Sequence, residues 1–169
     1  MLQDLAQHIQ SLRRYAYVLC QNHHDADDLV QESLTKAIAA ANRFSQGKDL
    51  RIWLFSILHN TFVSSRRQYA RRARAAAFLD MVSTDTVVPP EQENRVDAQK
   101  TVRLLRKLPP DQQAAICLVA IDGMSYEEAA KTLDVPIGTL MSRLARGREK
   151  LRAMTAIYKS AEKEVVSHG

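Results

Sequence analysis

The sequence is poor in residues that interrupt helices, with five glycines and five prolines in 169 residues. β-Branched runs are few as well, which argues against a sheet, and the chain reads as all-α. Cysteine is equally scarce. Cys20 and Cys117 lie far apart within apolar helical patterns, so they read as two buried thiols and not as a disulfide framework. Cys20, His23 and His24 are near one another, but no fourth ligand follows at a convincing spacing, and no metal site is expected. No apolar run approaches the ~18 residues of a membrane span. No signal peptide opens the sequence, so a soluble, cytoplasmic protein without a membrane span is expected. Nucleotide loops, nucleophile–base pairs and carboxylate dyads are also missing, so neither a cofactor nor an enzyme activity is expected.

What is present is apolar content and unevenly placed positive charge. A hydrophobic fraction of 46% can fill cores. The net charge of +5 suits a polyanionic partner, and its distribution says more than its size. Between Ser64 and Ala76 stand five arginines and no acid. From Pro136 to Arg152 five basic residues face one acid, Glu149.

Helical spacing organises the chain. Leu5, Ile9, Leu12, Ala16 and Leu19 mark a first helix, from about Asp4 to Cys20. Asp25 is expected to cap a second helix reaching Ala41, with Ala26, Leu29, Val30, Leu34, Ala37 and Ile38 inward. After a polar loop, a long third helix begins near Asp49, with Leu50, Trp53, Leu54, Ile57, Leu58 and Thr61 inward, and runs into the arginines. The pattern stops around Ser83 to Glu93, where Pro89-Pro90 mark a linker. A helix over Asp97–Leu108 follows, then another over Asp111–Ile121 that Gly123 ends. The expected divisions are a helical domain at 1–80, a linker at 81–96, a second helical domain at 97–156 and a frayed tail at 157–169.

The segment SYEEAAKTLDVPIGTLMSRLARGREKLR has the layout of a helix-turn-helix. Ser125 and Glu128 form a capping box, and Ala129, Ala130 and Leu133 give the first helix an inner face. Asp134-Val135-Pro136 breaks it, because proline lacks a backbone donor. Leu140 and Leu144 can then face inward, leaving Ser142, Arg143, Arg146 and Arg148 on other faces of a basic helix suited to the major groove of DNA.

Four segments occur in order: DADDLVQESLTKAI, RFSQGKDLRIWLFSILHNTFVSSRR, LRKLPPDQQAAICLVAIDGMSYEEAAKTL and VPIGTLMSRLARGREKLR. Together they resemble the extracytoplasmic-function (ECF) type of bacterial RNA polymerase sigma factor, within the sigma-70 family. The first two are similar to sigma region 2 and the last two to region 4. The NTFVSSRR and GMSYEEAA wording resembles the alphaproteobacterial general-stress subgroup. The resemblance implies a promoter-specificity subunit of RNA polymerase, controlled by an anti-sigma factor.

Acids in a helix's first turn favour its dipole, which accounts for Asp25 without any partner. The resemblance further implies that Asp25, Asp28, Gln31, Glu32 and Thr35 dock on the coiled coil of the polymerase β′ subunit. Trp53 alone reads as core. The resemblance instead places the non-template strand of the −10 promoter element on Arg43, Phe44, Ser45, Lys48, Trp53 and Asn60. Arg66, Arg67 and Arg71 could be a solvated helix end or phosphate contacts, and their number favours phosphates. For the −35 element the resemblance implies Thr139, Met141, Ser142, Arg143, Arg146 and Arg148, with the preceding helices on the polymerase β flap. Met141 stands where a lysine or arginine is usual, and Ala145 where a larger side chain is common. Two other readings remain: a stand-alone helix-turn-helix regulator, and a sigma mimic that sequesters an anti-sigma factor.

Overall fold

The computed structural model describes residues 2–44, 47–77 and 102–167. The chain divides into two units, Met1–Asn94 and Arg95–Gly169. The linker read at 81–96 lies outside the described residues, as does the start of the helix read at Asp97.

The first unit is built from α1 (Leu2–Cys20), α2 (His23–Ala39) and α3 (Leu50–Ala77). Gln21, in the left-handed region at φ 65°, closes α1. The cap of α2 is Asn22, not Asp25. Its Oδ1 accepts from the Asp25 backbone N–H at 2.7 Å, and its Nδ2 donates back to the Asp25 carboxylate. Asn22 precedes Asp25 by three residues, so the reciprocal pattern was in the sequence, displaced by one turn. Asp49 starts α3 by accepting from the backbone N–H groups of Arg51 and Ile52.

Leu12, Tyr15 and Ala16 of α1 pack with Leu29 and Val30 of α2 and Leu54, Phe55 and Leu58 of α3. Fully buried Tyr15 needs a partner for its hydroxyl. It hydrogen-bonds His59 Nδ1 at 2.9 Å, and its ring lies 5.4 Å from Phe55. The buried face of α3 is therefore turned from the expected one. Phe55 and Phe62 are inside, while Leu50, Trp53 and Ile57 are half-buried flanks. Ile38, expected inward, is 54% exposed, because it shares the outward side of α2 with Gln31 and Thr35 while neighbouring Ala37 faces the bundle.

In the second unit, residues 102–106 are helical. After Pro109 come α4 (Pro110–Ile116), a π-helical turn (Cys117–Ile121), α5 (Tyr126–Leu133) and α6 (Ile137–Ser167). The single helix expected over Asp111–Ile121 thus widens at Cys117. The Asp122 N–H reaches back five residues to the Cys117 carbonyl at 2.9 Å. Gly123, at φ +66°, then turns the chain so that the Met124 N–H meets the Leu118 carbonyl. The capping box forms as expected, with Glu128 Oε2 accepting from the Ser125 N–H at 2.7 Å and Ser125 Oγ from the Glu128 N–H at 3.2 Å. Such a cap is worth about 1 kcal/mol. Asp134 ends α5 in the left-handed region at φ 52°, which Asp tolerates better than most residues. Leu140 and Leu144 are buried with Leu118, Ala129 and Leu133. The segment from 157, read as a frayed tail, continues α6 as helix through Ser167.

Candidate functional site

Three surfaces carry the candidate residues. The first is the outer face of α2. Ala26, Leu29, Val30, Ser33 and Ala37 turn into the bundle, which leaves Asp25, Asp28, Gln31, Glu32 and Thr35 exposed together. Asp28 lies 3.1 Å from His24 Nδ1, and Glu32 lies 2.7 Å from Lys36 Nζ. The Thr35 hydroxyl donates to the Gln31 carbonyl at 2.9 Å, so its oxygen can still accept. Asp27 points elsewhere. Arg13 Nε donates to it at 2.8 Å, and that hydrogen bond holds its carboxyl below the usual range. What remains outward is a polar, acidic strip that can meet basic groups on a partner. Behind it, Cys20 is half-buried. Burial, with the Asp25 carboxylate adding and Arg66 opposing, pushes its thiol up to about 11.

The second surface joins the loop after α2 to α3. Arg43 ends a short 3-10 turn (Ala41–Arg43) and is exposed, as is Lys48. Phe44 folds back on Trp53, with ring centroids 4.9 Å apart and planes tilted by 41°. Both residues are half-buried, so each keeps part of its surface toward solvent. Asn60 is exposed on α3 and lies about 10 Å along the axis from Trp53, at 1.5 Å per residue. Phe44 and Trp53 are brought together, while Asn60 is a separate contact on the same side. Ser45 lies outside the described residues. Arg66, Arg67 and Arg71 are exposed, with the Arg66 guanidinium 5.8 Å from the Phe62 ring centroid. α3 contains no acidic residue. Tyr69, which the sequence reading passed over, stands 75% exposed among these arginines. An aromatic residue within a basic run was the available signal.

The third surface is α6. Thr139, Met141, Ser142, Arg146 and Arg148 are exposed. Arg148 Nη1 donates to the Tyr126 hydroxyl at 3.3 Å, tying α6 to α5. Arg143 differs. Its side chain is only 24% exposed, and its Nε lies 3.4 Å from Asp111 Oδ2 on α4. That pair directs it toward α4. The sequence reading also missed Gly147, which is buried where α6 crosses α4. A Cβ there would come within 2.6 Å of Ile116 Cδ1. A glycine inside a helical pattern was the signal, since it usually marks close packing.

Comparison with known proteins places the chain among its relatives. Residues 5–59 match the family model described as the Sigma2 domain of PhyR, and residues 98–151 match Sigma-70, region 4. The chain is 39% identical, over 152 residues, to the ECF RNA polymerase sigma factor EcfG of Rhodopseudomonas palustris, covering 89% of this chain and 82% of that one. Among solved structures it is similar to the sigma factor RpoE from Bartonella quintana, crystallised with the anti-sigma factor NepR. The TM-score is 0.77 and the identity 35%, over 92% of this chain and 96% of that one. It is also similar to the anti-anti-sigma factor PhyR from the same organism, at a TM-score of 0.61 and 18% identity, covering 91% of this chain and 50% of PhyR. At that identity the likeness shows the fold alone.

Proposed function

The chain belongs to the ECF RNA polymerase sigma factors, and from that premise we propose how its surfaces select and open a promoter. The acidic strip of α2 docks on the coiled coil of the polymerase β′ subunit. α4 and α5 meet the β flap. α6 enters the major groove of the −35 element, while Arg66, Arg67 and Arg71 hold phosphates near the −10 element and fix register without reading sequence.

The pair Phe44–Trp53, with Arg43, Lys48 and Asn60, captures unpaired bases of the non-template −10 strand. Each base stacked on an aromatic face contributes roughly 1–3 kcal/mol. The Asn60 amide can donate to and accept from a base edge. Only the open promoter offers these bases, so their capture shifts the equilibrium toward the melted state. The chain itself makes and breaks no covalent bond.

One observation carries the reading: a single helical bundle presents an outward acidic strip on α2 and an acid-free, arginine-rich α3. The two faces suit partners of opposite charge at once. Similarity to EcfG and to a sigma factor crystallised with NepR supports a cytoplasmic factor of the general-stress subgroup, held in check by an anti-sigma factor that masks its polymerase-docking faces.

Run-off transcription with purified core polymerase and a promoter library tests this. Defined transcripts that depend on the added chain are expected. Tight duplex binding by the free chain without transcripts would identify a stand-alone regulator. Capture of an anti-sigma factor without promoter use would identify a mimic.

A further inference from the structure

We propose that Met141 reads the C5-methyl group of a thymine in the −35 element, and that Ile137 extends this apolar contact at the tip of α6. The inference rests on the assignment of α6 to the −35 element. In a helix-turn-helix, the N-terminal residues of the second helix reach the base edges. On the first two turns of α6, Met141 is 51% exposed and Ile137 43% exposed, one turn apart.

Beside them, the side chains that can hydrogen-bond a base are the hydroxyls of Thr139 and Ser142. Gly138 and Ala145, exposed on either side of Met141, have no polar side chain. The Ser142 hydroxyl donates to the Gly138 carbonyl at 3.0 Å, which occupies its one proton. Arg143, the only guanidinium within the first two turns, is paired with Asp111. The centre of this helix therefore carries no amide, and its one guanidinium is engaged through Nε by Asp111, which disfavours bidentate reading of guanine or adenine there.

The group that Met141 and Ile137 can themselves contact favourably is apolar. In the major groove only the thymine methyl is of that kind. A flexible thioether adapts its shape to such a group. The occupant is duplex DNA and not a protein, by charge: Arg146, Lys150 and Arg152 follow on the same helix, exposed, and suit phosphates on either side of the groove.

The test uses holoenzyme assembled from the full chain and core polymerase. Each −35 thymine of a recognised promoter is replaced in turn by deoxyuridine, which removes only the methyl. Loss of one buried methyl should weaken promoter binding about fourfold at one or two positions. Met141→Ala should bind the thymine and deoxyuridine promoters equally. Met141→Leu, still apolar, should retain discrimination, and circular dichroism should show both variants folded.

Wild-type holoenzyme that rejects a scrambled −35 element but tolerates deoxyuridine at every position would overturn the proposal and leave the sigma reading standing. Wild-type holoenzyme with no −35 preference would overturn both. Met141→Ala that keeps wild-type methyl discrimination but loses core or anti-sigma binding would make Met141 a protein contact and overturn the proposal.

Discussion

Adding a single methyl at Gly147 tests how α6 is seated. An ideal Cβ there lies 2.6 Å from Ile116 Cδ1, 3.4 Å from Gln112 Cβ and 3.5 Å from Ile116 Cγ1. Carbon atoms prefer about 3.5–4.0 Å, so the first contact is a clash and the other two are close to normal. Two effects oppose each other in Gly147→Ala. Alanine favours the helix by about 1 kcal/mol. Overpacking against Ile116 costs about 1–3 kcal/mol. The net expectation is a loss near 1 kcal/mol, or roughly 4–8 °C in melting temperature for a domain of this size.

Ile116→Val removes the clashing Cδ1 atom and alone costs about 0.5–1.5 kcal/mol. In that background Gly147→Ala should stabilise. The double variant should therefore exceed the sum of the singles by about 1–2 kcal/mol, well above the few tenths expected of independent sites. Thermal unfolding of the full chain by circular dichroism measures this. Trp53, the only tryptophan, lies in the other unit, and its fluorescence is an internal reference. An additive cycle would refute the close approach of α6 to α4.

The other predictions concern function and reactivity. Asp28→Arg with Glu32→Arg should abolish core polymerase binding with helical content unchanged, because both carboxylates point away from the bundle; co-purification of normal amounts of core enzyme would remove α2 as the docking face. Phe44→Ala and Asn60→Ala should reduce open-complex formation, read by permanganate reactivity of unpaired thymines, and a pre-melted −10 bubble should restore only part of it because base capture is still lost. Melting at the normal rate and extent would return both residues to a packing role. At pH 8 the Cys20 thiol, raised from 9.0 to about 11, should alkylate about a hundredfold more slowly than in the urea-unfolded chain. Folding favours this neutral thiol, so its contribution to stability is full below pH 9 and is lost as pH rises through about 11. Equal alkylation rates at Cys20, measured by peptide mapping, would show that the thiol is not held in a desolvated site.

Much of this protein is written in local sequence. The Ser125–Glu128 capping box, the break at Asp134-Val135-Pro136 and the inward Leu140 and Leu144 were all legible, because their causes act within one or two turns of chain. The outward acidic strip of α2 and the exposed arginines of α3 were legible for the same reason, since charged side chains stay in water and the partners of Asp28 and Glu32 lie one turn away on the same helix. Other features depended on which surface lies opposite. Phe55 and not Trp53 fills the first core, because the apolar stripe of α3 is broad and Tyr15 of α1 selects which part of it is covered. Arg143 is drawn toward α4 because Asp111, distant in sequence, stands beside it in the fold. Gly147 is required only because Ile116 crosses α6 at that point. Hydrogen bonds between near neighbours in the chain are fixed by residue type and spacing, whereas burial and long-range ion pairs depend on packing that no single segment contains.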